Sequence, residues 1–266
     1  MSLRCLTLPM WRGLVAWLTL AAMAGALAAQ PSGALQRSGL AMLSPQTQAM
    51  QLDDSLNPGL LWVKDGEALW RRADGRTQRS CDSCHGSADT SMRGAAARYP
   101  ALDSLERRPI DLAGRINLCR LRHQQAVPWA REGPELLALE AFVAIQSRGL
   151  PLSPSTEPAL TPLRERGAAL FRQRFGQLDL SCSNCHDVLV GRRLGGSVIP
   201  PADPVPYPAY RLQWQSLGSL QRRIRNCMTG VRAEPFAYDD RELLELELYL
   251  ATRAQGLALE APGVRP

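Results

Sequence analysis

The string Cys-x-x-Cys-His occurs twice in this chain, as Cys81-Asp82-Ser83-Cys84-His85 and as Cys182-Ser183-Asn184-Cys185-His186, and nothing else in the 266 residues constrains the fold as tightly. On one helical turn the two thiols and the imidazole share a side, which suits two thioether bonds to haem c and a proximal iron ligand. A thioredoxin-type redox pair does not need the following histidine, and a zinc site needs further Cys or His ligands at short spacing. The motifs therefore predict two covalently bound haem c groups. Cys81, Cys84, Cys182 and Cys185 carry them, and His85 and His186 coordinate the iron.

The motifs sit in a longer repeat. Gly66-Glu67-Ala68-Leu69-Trp70 and Gly167-Ala168-Ala169-Leu170-Phe171 precede them at the same offset of 101 residues that separates Cys81 from Cys182. Downstream, Arg115-Ile116-Asn117-Leu118-Cys119 resembles Arg223-Ile224-Arg225-Asn226-Cys227 at an offset of 108. Two helical patterns, residues 135–142 and 242–249, follow at an offset of 107, with apolar residues at i, i+3, i+4 and i+7. Strand alternation is not evident, and residues 151–158, dense in Pro and Ser, read as a linker. The expected fold is mainly α: two cytochrome c-like lobes related by duplication, each built around a haem, with long loops. The expected boundaries are 1–28 for a signal peptide, 29–152 for the first lobe and 153–266 for the second.

The signal peptide is read from Arg4 and Arg12, an apolar run over 14–24 and the tract Ala26-Leu27-Ala28-Ala29. The run is shorter than the ~20 residues a spanning helix needs. Export to the periplasm without a membrane span in the mature chain is the expectation. Residues 1–28 hold two arginines and no acid, so the formal charge falls from +6 to +4 on cleavage. Lys64 is the only lysine, and no basic run is interleaved with aromatics. This argues against nucleic acid and for small anions or an acidic protein partner.

Of the seven cysteines, Cys5 leaves with the signal and four attach haem. Candidates for the distal ligand in the first lobe are Cys119, His123 and Met92; in the second they are Cys227, Met228 or an open position. The repeat favours cysteine, because Cys119 and Cys227 hold equivalent places. Arg115 and Arg120 flank the first, and Arg222, Arg223 and Arg225 precede the second; nearby cations favour the metal-binding thiolate. A Cys119–Cys227 disulfide is the competing arrangement and needs Cα atoms within about 7 Å. His123 reads as a surface or core residue.

Several further strings carry a resemblance. They are Asn57-Pro58-Gly59-Leu60-Leu61-Trp62-Val63, Gly176-Gln177-Leu178-Asp179-Leu180-Ser181, Tyr207-Pro208-Ala209-Tyr210-Arg211-Leu212, Arg225-Asn226-Cys227-Met228-Thr229-Gly230-Val231-Arg232-Ala233-Glu234-Pro235 and Glu260-Ala261-Pro262-Gly263-Val264-Arg265. With them the chain resembles the SoxA family, dihaem subunits of the SoxAX cytochromes of thiosulfate oxidation, over nearly all its mature length. The resemblance implies a haem-dependent L-cysteine S-thiosulfotransferase that couples thiosulfate to a cysteine of a SoxYZ-type carrier and passes two electrons to a cytochrome c. It implies a SoxX-like monohaem partner. It also makes Cys227 both distal ligand and catalytic sulfur, a position found as a persulfide, and Arg223 a ligand of the thiosulfate oxygens. Arg253 is the expected second clamp; the in-register first-lobe residue is Gln146. The rival readings are a thiosulfate dehydrogenase forming tetrathionate, a non-catalytic electron carrier and, further off, a dihaem peroxidase.

Overall fold

The computed structural model describes residues 37–266, so the expected signal peptide lies outside the described residues. From the N-terminus run α1 (Pro45–Leu52), α2 (Gly59–Arg71), α3 (Asp82–His85), α4 (Ala88–Ser91), strands β1 (Ala101–Leu102) and β2 (Pro109–Ile110), α5 (Leu112–Cys119) and α6 (Pro134–Ile145). A π-helical turn, Arg120–Gln124, continues α5. The second half contains α7 (Thr161–Arg172), a π-helical turn at Asn184–Val188, the hairpin β3 (Arg193–Leu194) and β4 (Ser197–Val198), then β5 (Ala209–Arg211), β6 (Ser216–Gly218), α8 (Leu220–Gly230), α9 (Arg241–Arg253) and β7 (Gly263–Arg265).

The duplication is visible in how the elements pack. Helix α2 lies on α6 at Gly66, where an added Cβ would come within 2.1 Å of the Ala138 carbonyl oxygen; α7 lies on α9 at Gly167, 2.0 Å from that of Glu245. Each crossing carries an aromatic contact, Trp70 with Phe142 at 5.9 Å and Phe171 with Tyr249 at 5.3 Å between centroids. Asp111 caps α5 through the Gly114 N–H, and Ser219 caps α8 through that of Arg222. In the loops before the motifs, Gly75 (φ +68°) and Gly176 (φ +67°) press against the backbone at Gln124 and Val231. Only glycine combines that φ with so close an approach.

The strands escaped the sequence reading because none exceeds three residues, too short to show alternation. Strand β5 is central, antiparallel to β6 and parallel to β7. The residue 151–158 segment is pinned at its start: the Leu152 and Ser153 amides donate to the carbonyls of Leu257 and Ala97. Helix α6 is apolar nearly all round, because it packs against Trp70 and Ile116 on one side and against Leu217 of β6 on the other. The C-terminal tail anchors the N-terminal segment: Asn57 Nδ2 donates to the Pro262 carbonyl, and Gln51 Oε1 accepts from the Val264 amide.

Candidate active site at the second Cys-x-x-Cys-His motif

Each motif has its repeat-matched cysteine beside it. Cys81 caps α3, and its amide donates to the Trp70 carbonyl at 3.0 Å. The Cys81 thiol is pushed up to about 11 by burial and by its neighbour Cys119 at the end of α5. Trp70 stands 5.7 Å from the His85 ring, and its Nε1 donates to the Gly86 carbonyl. In the second lobe, burial and the neighbouring Cys227 push Cys182 up to about 11. All six described cysteines are free, so Cys119 and Cys227 are not bridged to each other. His123 is exposed on the surface, Met228 is buried and Met92 packs against the first-lobe core.

His186 and Cys227 converge from separate elements. His186 Nδ1 lies 2.8 Å from the Pro200 carbonyl oxygen. A carbonyl only accepts, so Nδ1 carries the proton and Nε2 is left as the ligating nitrogen. Cys227 on α8 is within hydrogen-bonding reach of His186. Burial opposes ionisation of Cys227, but the His186 hydrogen bond and the charges of Arg223 and Arg211 outweigh it and hold the thiol below its ordinary value.

The two lobes differ in what surrounds these cysteines. Burial dominates at Cys119 and raises its thiol, despite Arg115 and Arg122. Those cations are spoken for. Arg115 and Arg122 pair with Asp103 at 2.7 and 3.0 Å, and Arg120 pairs with Asp74 at 2.9 Å while stacking on Trp129. Burial therefore outweighs the arginines that the sequence places beside Cys119, and carboxylates share part of their charge. Around Cys227, Arg222 reaches Glu132 at 4.0 Å and stacks on Trp214, and Arg225 stacks on Tyr238. Arg223, one turn before Cys227 on the same face of α8, has no ion-pair partner among the described residues.

Arg253, the expected second clamp, lies beside the motif. It is buried, pairs with Asp187 at 2.7 Å and lies over the Phe171 ring at 4.5 Å, so its charge is matched beside the motif. Arg211, unassigned by sequence, also acts on Cys227 through its charge. The string containing it was visible, but its approach depends on the path of β5, which no local pattern signals.

The donor set fits haem and not a bare metal ion. Among the described residues no group of three or more His, Cys, Asp and Glu could hold a metal ion. One histidine and one cysteine brought together, His186 and Cys227, would be enough to hold a group that brings its own remaining donors, as haem does. Val188 and Leu189, two and three residues after His186, are 74% and 41% exposed, leaving apolar surface close to the motif in sequence.

The family model for the SoxA/TsdA cytochrome c domain matches residues 65–152 and 166–259. This chain belongs to the SoxA family. It is 34% identical over 229 residues to the L-cysteine S-thiosulfotransferase subunit SoxA of Rhodovulum sulfidophilum, covering 86% of this chain and 80% of that protein. It is 34% identical over 230 residues to the SoxA of Pseudaminobacter salicylatoxidans, with the same coverage. The crystal structure of SoxXA from P. pantotrophus superposes with a TM-score of 0.83 at 28% identity, over 86% of each chain. Membership makes the chain a cytochrome with covalently bound haem c, and the matched segments fall on the two halves of the repeat.

Proposed function

We propose that the chain is the catalytic dihaem subunit of a periplasmic L-cysteine S-thiosulfotransferase, with a first lobe at 29–152 and the active site in a second lobe at 153–266. The observation that carries this is the difference between the lobes: Arg223 is without an ion-pair partner among the described residues one turn from an acidified Cys227, whereas Arg115, Arg120 and Arg122 beside Cys119 are paired with carboxylates and burial raises that thiol. Two haems are proposed, on Cys81, Cys84 and His85 and on Cys182, Cys185 and His186, with Cys119 and Cys227 as distal ligands. A SoxX-like cytochrome partner is supported by the similarity to the SoxXA structure, and a SoxYZ-like carrier and thiosulfate by the relatives' activity.

In the overall reaction a carrier thiol and thiosulfate join through a new S–S bond, giving a protein S-thiosulfonate, one proton and two electrons that reduce cytochrome c. Haem c, when bound, supplies an iron that can take up and pass on single electrons. The protein's own groups do the rest. Pro200 fixes the His186 tautomer through the Nδ1 proton. The positive surroundings of Cys227 keep its sulfur nucleophilic. Arg223 offers a planar, permanently charged fork to the sulfonate oxygens.

The test supplies thiosulfate and oxidised cytochrome c with and without a carrier-peptide thiol. Cytochrome reduction that depends on the thiol is expected. Thiol-independent formation of tetrathionate would instead establish a thiosulfate dehydrogenase.

A further inference from the structure

Arg211 is 8% exposed, and its Nε has no hydrogen-bond partner. Burying a guanidinium without an acid is costly, so an uncompensated one points to a missing anion. No carboxylate among the described residues pairs with it. It interacts with the Tyr207 hydroxyl and feels the charges of Arg223 and Cys227. Strand β5 fixes its backbone from both sides, through Ser216 of β6 and Arg265 of β7, and Trp214 lies 5.0 Å from its guanidinium carbon. Tyr207 faces Arg223 and Arg211 together and is itself near Cys227.

We infer that Arg211 and Arg223 form a two-guanidinium cradle for a dianionic sulfur oxyanion beside Cys227, with the Tyr207 hydroxyl holding Arg211 in place. The inference rests on the thiosulfotransferase reading for the identity of the anion, thiosulfate, which carries two negative charges. Arg223 matches one and Arg211 the other. Among the other arginines, Arg253 is paired with Asp187 and Arg222 reaches Glu132, while Arg225, also without a carboxylate among the described residues, is turned onto Tyr238. Like-charged guanidiniums held together without a carboxylate repel each other, and a bound dianion relieves that repulsion. Arg211 is thus a substrate-binding residue, and Tyr207 a positioning residue that acts through it.

The test uses full-length protein loaded with haem. Thiosulfate binding to the oxidised protein is measured by calorimetry without carrier, turnover is measured with carrier, and intact mass counts the haems. The R211Q variant should weaken thiosulfate binding and raise its KM by about tenfold to a hundredfold, the range for a lost charge-assisted hydrogen bond. Its KM for the carrier thiol should stay unchanged, and R211K should recover part of the affinity. Y207F should weaken binding less than R211Q, with both haems retained. Wild-type thiosulfate affinity in R211Q overturns the cradle. If R211Q fails to load both haems, R211K decides: weakened binding in a fully loaded protein supports the cradle, whereas wild-type binding or a further loading failure overturns it. Wild-type protein that binds thiosulfate but shows no carrier-dependent turnover removes the transferase reading and leaves the cradle standing. Wild-type protein that binds no thiosulfate removes both.

Discussion

Arginines differ here by what they are tied to, and that decides which of them can act. Around the two motifs, ion pairs tie Arg115, Arg120, Arg122 and Arg253 to carboxylates, whereas Arg211 and Arg223 have none among the described residues. Replacing Arg223 with glutamine should lower kcat/KM for thiosulfate by about tenfold to a hundredfold. Steady-state kinetics at fixed carrier concentration checks this, and an unchanged ratio would refute a role for that side chain. The cysteines and histidines were legible because covalent haem attachment demands them at fixed spacing. Pro200, Tyr207 and Arg211 were not, since each reaches the site from a separate loop or strand. Asp103 and Asp187 likewise decide which cations are free, and nothing local in their sequence announces it.

Helices set the distances between those side chains. The repeated crossings of α2 on α6 and α7 on α9 are closed by single glycines whose added Cβ would meet backbone, which cannot swing away as a side chain would. Gly167→Ala should therefore cost about 1–3 kcal/mol through overpacking. For a chain this size that lowers Tm by about 2–10 °C, and a thermal melt showing no loss would mean the crossing is looser than described. Gly66→Ala should behave alike, since its surroundings repeat those of Gly167. The helices were readable from apolar spacing, and the duplication from the matched strings. Strands of two or three residues were not, because their pairing is fixed by long-range partners such as β7 beside β5.

Across the whole molecule the two halves meet at an acidic core. Glu140 of α6 and Glu247 of α9 occupy equivalent places in the repeat and face Arg131 and Asp111, with Glu132 also near Glu140. Arg131 is already bonded to Asp111 and Asp239, so burial wins: Glu140 is pushed up to about 8 and Glu247 well above the usual range. A raised folded-state value means that stability falls as pH rises from the ordinary glutamate range through about 8. Glu140→Gln should remove part of that fall, so its Tm should exceed wild type at pH 9 and approach it near pH 5. Equal melts at both values would count against the burial of a charge there. On the acid side, hydrogen bonds from Arg122 and the Glu106 amide hold Asp103 well below the carboxylate range, so its contribution is lost only at strongly acid pH. These terms shape the scaffold, whereas the chemistry is assigned to one half alone. The decisive measurement is carrier-dependent cytochrome c reduction by the Cys227→Ala protein, alongside its intact mass. The account predicts two haem additions and a rate lowered at least about a thousandfold; a doubly loaded variant turning over at the wild-type rate would contradict it.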